Sequence, residues 1–192
     1  VQNTLTSSSV YTFSVDFRFS NVAAGDIVFG VGSGTSFTGN STFTTAHGLF
    51  WLQSDNGNFE YRTASAWSNV GGTTTFVDGT NYSLRVIANG SASAVTYGME
   101  TLGAGTMDIY LDNILVADGV AVTTNGLAAN GFRIYSVTGT GIEIDNIQLW
   151  NEAIGVSAVP EPSTYALLGV GLVGLFAWRG RTRRRSGAKA GS

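Results

Sequence analysis

The chain has 192 residues with 26 glycines, two prolines, no cysteine and 12% charged residues, which fits one domain of ordinary size and excludes a disulfide framework and any thiolate metal or redox site. Glycine runs at about twice its usual ~7% and charge at about half its usual ~25%, beside 11% aromatics, so the chain is turn-rich yet has the apolar material for a core. Up to residue 155 four arginines (Arg18, Arg62, Arg85, Arg133) stand against 12 acids, a net of −8, whereas beyond it Arg179, Arg181, Arg183, Arg184, Arg185 and Lys189 against Glu161 give +5; an acidic body with a short basic tail is ill suited to nucleic acid, and no nucleic-acid partner is expected.

Residues 1–155 read as strands and turns. Tyr11, Phe13, Val15, Phe17 and Phe19 alternate with Thr12, Ser14, Asp16 and Arg18, which puts all five apolar groups on one face of a strand. Apolar runs follow at Ile27 to Val31, Gly48 to Leu52, Phe59 to Arg62, Tyr82 to Ala88, Val95 to Met99, Met107 to Leu111, Ile114 to Val122, Phe132 to Val137 and Ile142 to Trp150. Between them lie Asp55-Asn56-Gly57-Asn58, Gly71-Gly72, Asp78-Gly79, Asn89-Gly90, Asp118-Gly119 and Asn130-Gly131, where Asn-Gly and Asp-Gly pairs supply the positive φ of tight hairpins. About ten strands in antiparallel meanders follow, and half-buried strands need a second sheet to cover them, so an all-β antiparallel sandwich or jelly roll is expected. Leu111-Asp112-Asn113-Ile114 and Ile144-Asp145-Asn146-Ile147 read as two similar strand ends, not as a repeat.

The composition changes at Val156. Residues 156–162 form a linker ending in Pro160-Glu161-Pro162, residues 163–178 are an uncharged apolar segment expected to be a single hydrophobic helix, and residues 179–192 are a basic tail. A 16-residue helix spans about 24 Å, short of the ~30 Å hydrocarbon core, a gap that snorkelling arginines would close. The positive-inside rule keeps the arginines cytoplasmic and the β domain outside.

Val159-Pro160-Glu161-Pro162-Ser163-Thr164, the apolar span and the cluster around Arg183, Arg184 and Arg185 together resemble the PEP-CTERM sorting signal of Gram-negative bacteria. The resemblance implies export, a membrane-anchored precursor, processing near the Pro-Glu-Pro element by exosortase, a membrane-embedded transpeptidase-like enzyme, and an association with exopolysaccharide and biofilm matrix at the cell surface or outside the cell. A chain that opens on Val1 and not Met is expected to have lost an export leader, or more.

The chemistry is sparser. Gly169-x-Gly171-x-x-Gly174 fits a dinucleotide-binding pattern, but no strand enters it and no acidic residue follows at the right distance to hold a ribose. Glu143-Ile144-Asp145-Asn146-Ile147-Gln148 resembles the Glu-x-Asp-x-x-Glu strand of jelly-roll retaining glycosidases such as laminarinases, with Gln148 where the acid/base carboxyl should stand. A Gln cannot deliver a proton, so no catalytic residue is assigned and a non-enzyme is expected. On the structural reading Glu143 and Asp145 face solvent while Ile142, Ile144, Ile147 and Leu149 point inward across a bulge near Asp145-Asn146. His47 is the sole histidine and has no nucleophile elbow beside it. No cofactor is expected; calcium is the ion that turn aspartates such as Asp55, Asp78 and Asp118 would suit, although each sits where Asp is favoured for its backbone bonding alone.

Three segments resemble laminin-G and concanavalin A-like domains: Phe76 to Val86, Met107 to Gly119 and Gly141 to Trp150, with Tyr82 in place of the usual central-strand Trp. The resemblance implies a lectin-like sandwich that binds sugars or proteins through edge loops. Trp67, in the polar stretch Ala64 to Gly72, is the candidate ligand-binding residue: an open indole face flanked by hydrogen-bonding groups holds a sugar, while a ring folded over the core edge does not. Trp51, Tyr61 and Tyr82 sit in strand patterns as core or sheet-surface residues. Two functions stay open, a non-catalytic surface or matrix protein that binds polysaccharide and a purely structural matrix component, with a glycan-active enzyme behind both.

Overall fold

The computed structural model describes residues 6–22, 27–34, 48–55, 57–71, 75–136 and 141–155. The chain divides into two units, Val1–Val156 and Ser157–Ser192, and all described residues belong to the first. The expected helix, the Pro-Glu-Pro linker, the arginine cluster and His47 lie outside the described residues.

Among the described residues the strands are β1 (Val10–Phe19), β2 (Ile27–Gly32), β3 (Gly48–Asp55), β4 (Asn58–Arg62), β5 (Trp67–Asn69), β6 (Asn81–Asn89), β7 (Val95–Tyr97), β8 (Glu100–Leu102), β9 (Thr106–Leu111), β10 (Ile114–Ala121), β11 (Gly131–Ser136) and β12 (Ile142–Trp150). They form two five-stranded antiparallel sheets, β10-β9-β6-β1-β12 and β11-β2-β3-β4-β5, and a small β7-β8 ribbon. The fold is the all-β antiparallel sandwich that the alternation calls for.

Period-2 patterning in β1 decides how the sheets meet. Tyr11, Phe13, Val15 and Phe19 are fully buried and Phe17 nearly so. Phe13 crosses between the sheets, its ring 6.4 Å from Phe29, 6.2 Å from Phe50 and 6.2 Å from Phe132. Phe17 stacks on Tyr82 at 5.5 Å and meets Phe76 edge-on at 5.3 Å. Tilted and edge-on pairs at this spacing add to the burial of the rings themselves.

Turn chemistry is set by particular residues in three places, and the last two depart from expectation. Asp112 and Asn113 both take positive φ (52° and 64°) and close a two-residue hairpin in which Leu111 pairs with Ile114; short polar side chains tolerate the left-handed region without glycine. Asp118-Gly119 does not end a strand. It lies inside β10, where the register slips between Ala117 and Val120, because the Gly119 N–H leaves the ladder and donates to Asp108 Oδ1 at 2.6 Å. The run from Val95 to Met99 is broken at Gly98 (φ 58°), which reverses the chain into β8 and leaves Met99 fully exposed.

The bulge on β12 is where the apolar parity shifts. Ser14 pairs with Gln148 and Asp16 with Asp145, so β12 carries one extra residue there, with Asn146 at φ 50°. Ile142, Ile144 and Leu149 pack against the core, but Ile147 is 42% exposed. It sits in the bulge itself, outside the regular pairing that would hold it inward.

The β7-β8 ribbon covers the outward side of β6 and β9, where Ile87, Tyr97, Leu102 and Tyr110 form a second apolar cluster. Within it the Tyr97 hydroxyl donates to buried Asp108 and lies 3.0 Å from the Tyr110 hydroxyl. Burial, then the bond to Asp108, pushes the Tyr97 hydroxyl far above its ordinary value, and burial raises Tyr110 as well. The folded chain therefore keeps these protons when the unfolded chain gives them up. Their contribution is complete below about pH 10, the ordinary tyrosine value, and declines above it. Urea midpoints measured from pH 9 to about 11.5 should hold and then fall beyond about 10, with a shallower fall in Tyr97→Phe.

Candidate functional site

The outward side of β11-β2-β3-β4-β5 is the first of two surfaces with organised side chains. Its register aligns Arg133 with Gly30, Gly30 with Trp51, and Arg62 with Trp67. The neighbouring row aligns Tyr135 with Val28, Val28 with Gln53, Gln53 with Glu60 and Glu60 with Asn69. Trp51 is the base of this surface. It is 1% exposed although it faces away from the main core, and with Val28 it forms a cluster against which Trp67 and Tyr135 pack. Two glycines make room for it: a Cβ on Gly30 or on Gly48 would come within 3.0 Å of three atoms of the indole. The ring therefore lies flat on bare backbone.

Polar groups stand on this aromatic base. Arg62 lies over the Trp67 ring at 5.4 Å and Arg133 over Tyr135 at 5.3 Å. Gln53 Nε2 donates to Glu60 Oε2 at 2.6 Å. The Thr63 N–H donates to the Ala66 carbonyl at 2.8 Å and the Thr63 hydroxyl to the same carbonyl at 3.0 Å, a tight turn that brings Trp67 back beside Arg62. Trp67 is thus not in a loop with an open indole face. It begins an edge strand, is half-buried, and carries a guanidinium on its ring. The polar stretch hid this because Ser68 and Asn69 are polar strand residues, and because Arg62 reaches Trp67 only through the β4-β5 register.

The second surface is a groove of about 600 Å³ on the outward side of the other sheet, lined by Asp16, Arg18, Asn81, Ser83, Glu143 and Asp145 among others. The β12 bulge places Glu143, Asp145 and Gln148 on one side of the strand, opposite Arg18, Asp16 and Ser14. The carboxylates are engaged by the protein's own donors. Glu143 pairs with Arg18 at 2.7 Å, Asp16 accepts from Asn146 Nδ2 at 2.7 Å, and Asp145 accepts from the Asn146 N–H at 2.8 Å. No second carboxyl stands at Gln148 to protonate a leaving oxygen.

The turn aspartates are dispersed. Asp55 pairs with Asn58 at the β3-β4 hairpin, Asp78 Oδ1 accepts from the Val22 N–H at 2.6 Å, and Asp118 lies in the β10 bulge. Among the described residues no three His, Cys, Asp or Glu side chains gather as a metal site. No helix among them is long and apolar enough to cross a membrane.

The class of protein this sandwich defines also appears among solved structures. A sialidase aligns with 78% of this chain at 11% identity and a TM-score of 0.54, and a Trypanosoma rangeli sialidase with 75% at 14% identity and 0.50. A Caenorhabditis elegans galectin aligns with 77% of this chain and 89% of its own length, at 12% identity and 0.46. The chain spans 14% and 21% of the two sialidases, and what it shares with them is the fold. No curated protein matches the chain. More particularly, residues 158–185 match the PEP-CTERM protein-sorting motif, so this is a β-sandwich followed by that sorting motif.

Proposed function

We propose that the chain is an exported surface or matrix protein, anchored in the membrane as a precursor, cut by exosortase near Pro160-Glu161-Pro162, and non-catalytic, with its sandwich binding extracellular polysaccharide on the β11-β2-β3-β4-β5 face. The observation that carries the first half is the sorting motif over residues 158–185. Proline fixes its own φ and disfavours helix in the residue before it, which would suit Pro160-Glu161-Pro162 as a processing site, and an apolar span that as a helix would fall about 6 Å short of the ~30 Å core would make a weak permanent anchor. Mass spectrometry of protein recovered outside the cell should find chains ending close to Pro160-Glu161-Pro162. Extracellular protein that keeps its arginine cluster would contradict the sorting reading.

The second half is supported by a sheet face that combines an aromatic base with convergent hydrogen-bonding groups, the usual make-up of a shallow sugar site. Polysaccharide pull-down by the wild type, lost in Trp67→Ala, tests it. One observation favours the alternative of a structural protein with no discrete ligand: the Trp67 ring already carries Arg62, a contact that stabilises the fold whether or not a ligand arrives. Retained mature protein in the matrix with no pull-down of any polysaccharide would decide for that alternative.

Catalysis is the remaining reading, and the groove makes it testable. Positioned proton transfer supplies ~10² to 10⁴-fold that no residue of the Glu143 to Gln148 stretch replaces. Glu152 lies beyond the end of β12, with its carbonyl accepting from the Thr12 hydroxyl at 2.7 Å. Laminarin and mixed-linkage glucan should therefore release no reducing ends. Release that vanishes in Glu143→Gln would establish a glycosidase.

A further inference from the structure

The outward side of β10-β9-β6-β1-β12 is covered at one end and open at the other. The β7-β8 ribbon and the residues after β12 lie over Ile87 and Thr12. Four residues further along β1 the face opens into the groove of about 600 Å³, a size at which sites hold a small ligand. Register sets its polar groups in two rows. Ser83, Asp16 and Asp145 stand directly opposite one another on β6, β1 and β12, and Asn81, Arg18 and Glu143 stand two residues away, about 7 Å at the usual strand rise. Asp112 extends the first row, its Oδ1 accepting from the Ser83 N–H at 2.8 Å.

Each of these four carboxylates is fixed through one oxygen and leaves the other without a partner among the described residues: Arg18 holds Glu143, Asn146 holds both Asp16 and Asp145, and Ser83 holds Asp112. The Asn81 amide and the Ser83 hydroxyl make no hydrogen bond there either. Ser14, two residues from Asp16 on the same side of β1, is only 9% exposed, and its hydroxyl is likewise unpartnered among the described residues. Asp16 and Asp145 are like charges directly opposite each other, an arrangement that costs stability. Such breaches of local sheet rules are kept where a site needs the groups.

Charge and surface chemistry select the ligand. Four carboxylates face one arginine, itself paired with Glu143, so the groove repels polyanions. It has no open ring on which a neutral sugar could lie, because Phe17 and Tyr82 at its base stack on each other at 5.5 Å and pack into the core. Donors that carry positive charge fit the leftover carboxylate oxygens, since charge-assisted hydrogen bonds are about twice as strong as neutral ones. The amide of Asn81 and the hydroxyl of Ser83 suit the hydroxyl groups of a sugar.

We infer that this groove binds a polysaccharide bearing free amino groups, with its ammonium groups among Asp112, Asp16 and Asp145 and its hydroxyls on Asn81 and Ser83. The site lies on the opposite sheet from the proposed polysaccharide face and does not depend on it.

The test uses the full chain in mild detergent at about pH 5.5, above the ordinary carboxylate range, with immobilised chitosan oligomers, the same oligomers fully N-acetylated, and polylysine as probes. An acidic body attracts any polycation, so the readout is the ratio between variants and a control, Glu100→Gln, that removes one charge from β8 outside the groove. Chitosan affinity should fall about ten-fold in Asp112→Asn and in Asp145→Asn, the size of a lost charge-assisted contact. It should fall several-fold in Asn81→Ala, which changes no charge, and stay unchanged in Glu100→Gln and Trp67→Ala. N-acetylation should weaken binding at least ten-fold. Equal chitosan binding by the groove variants and Glu100→Gln overturns the inference, as diffuse attraction. So does equal binding of the N-acetylated oligomers, which makes the groove a neutral-sugar site, or polylysine binding as tight and with the same variant profile, which makes it a site for basic peptide. Laminarin binding lost in Trp67→Ala alone concerns the other face, so the two readings fail separately. Circular dichroism and melting of each variant separate lost binding from lost folding, and should Asp145→Asn fail to fold, Asn81→Ala decides.

Discussion

Gly30→Val should cost about 4 kcal/mol, most of the stability of a marginal domain, and abolish the organised face of the second sheet. The residue faces outward on β2, where a substitution would ordinarily be tolerated. Here the indole of Trp51 lies on it, with three ring atoms within 3.0 Å of where a Cβ would stand. The ring cannot slide along the sheet to escape, because Gly48 meets its other end just as closely. It must lift, and lifting it exposes Val28 and undercuts Trp67 and Tyr135, which carry Arg62 and Arg133. Gly30→Ala should already cost about 3 kcal/mol for the same reason. The mechanism predicts non-additivity: with Trp51→Ala in the background, Gly30→Ala should cost under about 1 kcal/mol, a coupling that urea denaturation of the four proteins of the cycle would measure. Equal cost in both backgrounds would mean that backbone conformation, and not the ring, requires glycine at this position.

Sequence patterning reached the parts of this fold that depend on near neighbours. The alternation from Tyr11 to Phe19 fixes one inward face because side-chain direction needs only the chain's own pleat. The parity change between Ile144 and Ile147 located the β12 bulge, since an inserted residue must shift the apolar phase. Ile147 itself escaped the pattern, because a bulge residue follows neither phase. The break at Asp112-Asn113 was legible from the apolar runs that end at Leu111 and resume at Ile114, although no glycine marks it, whereas Asp118-Gly119 was misread where a turn dipeptide serves a bulge. The candidate site was legible only as single residues. Trp67 was identified, but Arg62 on its ring, Trp51 beneath it and Gly30 beneath that belong to four different strands. Registers between sequence-distant strands such as β2 and β3 follow from how the whole sandwich packs, and no local window contains them.

Removing residues 156–192 should leave the sandwich folded, whereas removing five residues more, from Asn151 onward, should destabilise it by about 3 kcal/mol. The end of β12 at Trp150 looks like the end of the domain, but the next residues turn back across the outward side of the first sheet. The Thr12 hydroxyl donates to the Glu152 carbonyl at 2.7 Å and accepts from the Ile154 N–H at 2.7 Å. Ala153 packs against the cluster of Ile87, Tyr97, Leu102 and Tyr110, and Arg85 donates to the Gly155 carbonyl at 3.1 Å. A Cβ on Gly155 would stand 3.1 Å from the Tyr97 ring, so the chain passes close over that tyrosine. A chain ending at Gly155 keeps all of these contacts. One ending at Trp150 loses at least three hydrogen bonds and uncovers fully buried Thr12 and Ile87, each bond contributing about 1 kcal/mol net. Thermal melts of the two truncated chains beside the full chain would show it: a cooperative transition preserved in the longer and lowered in the shorter.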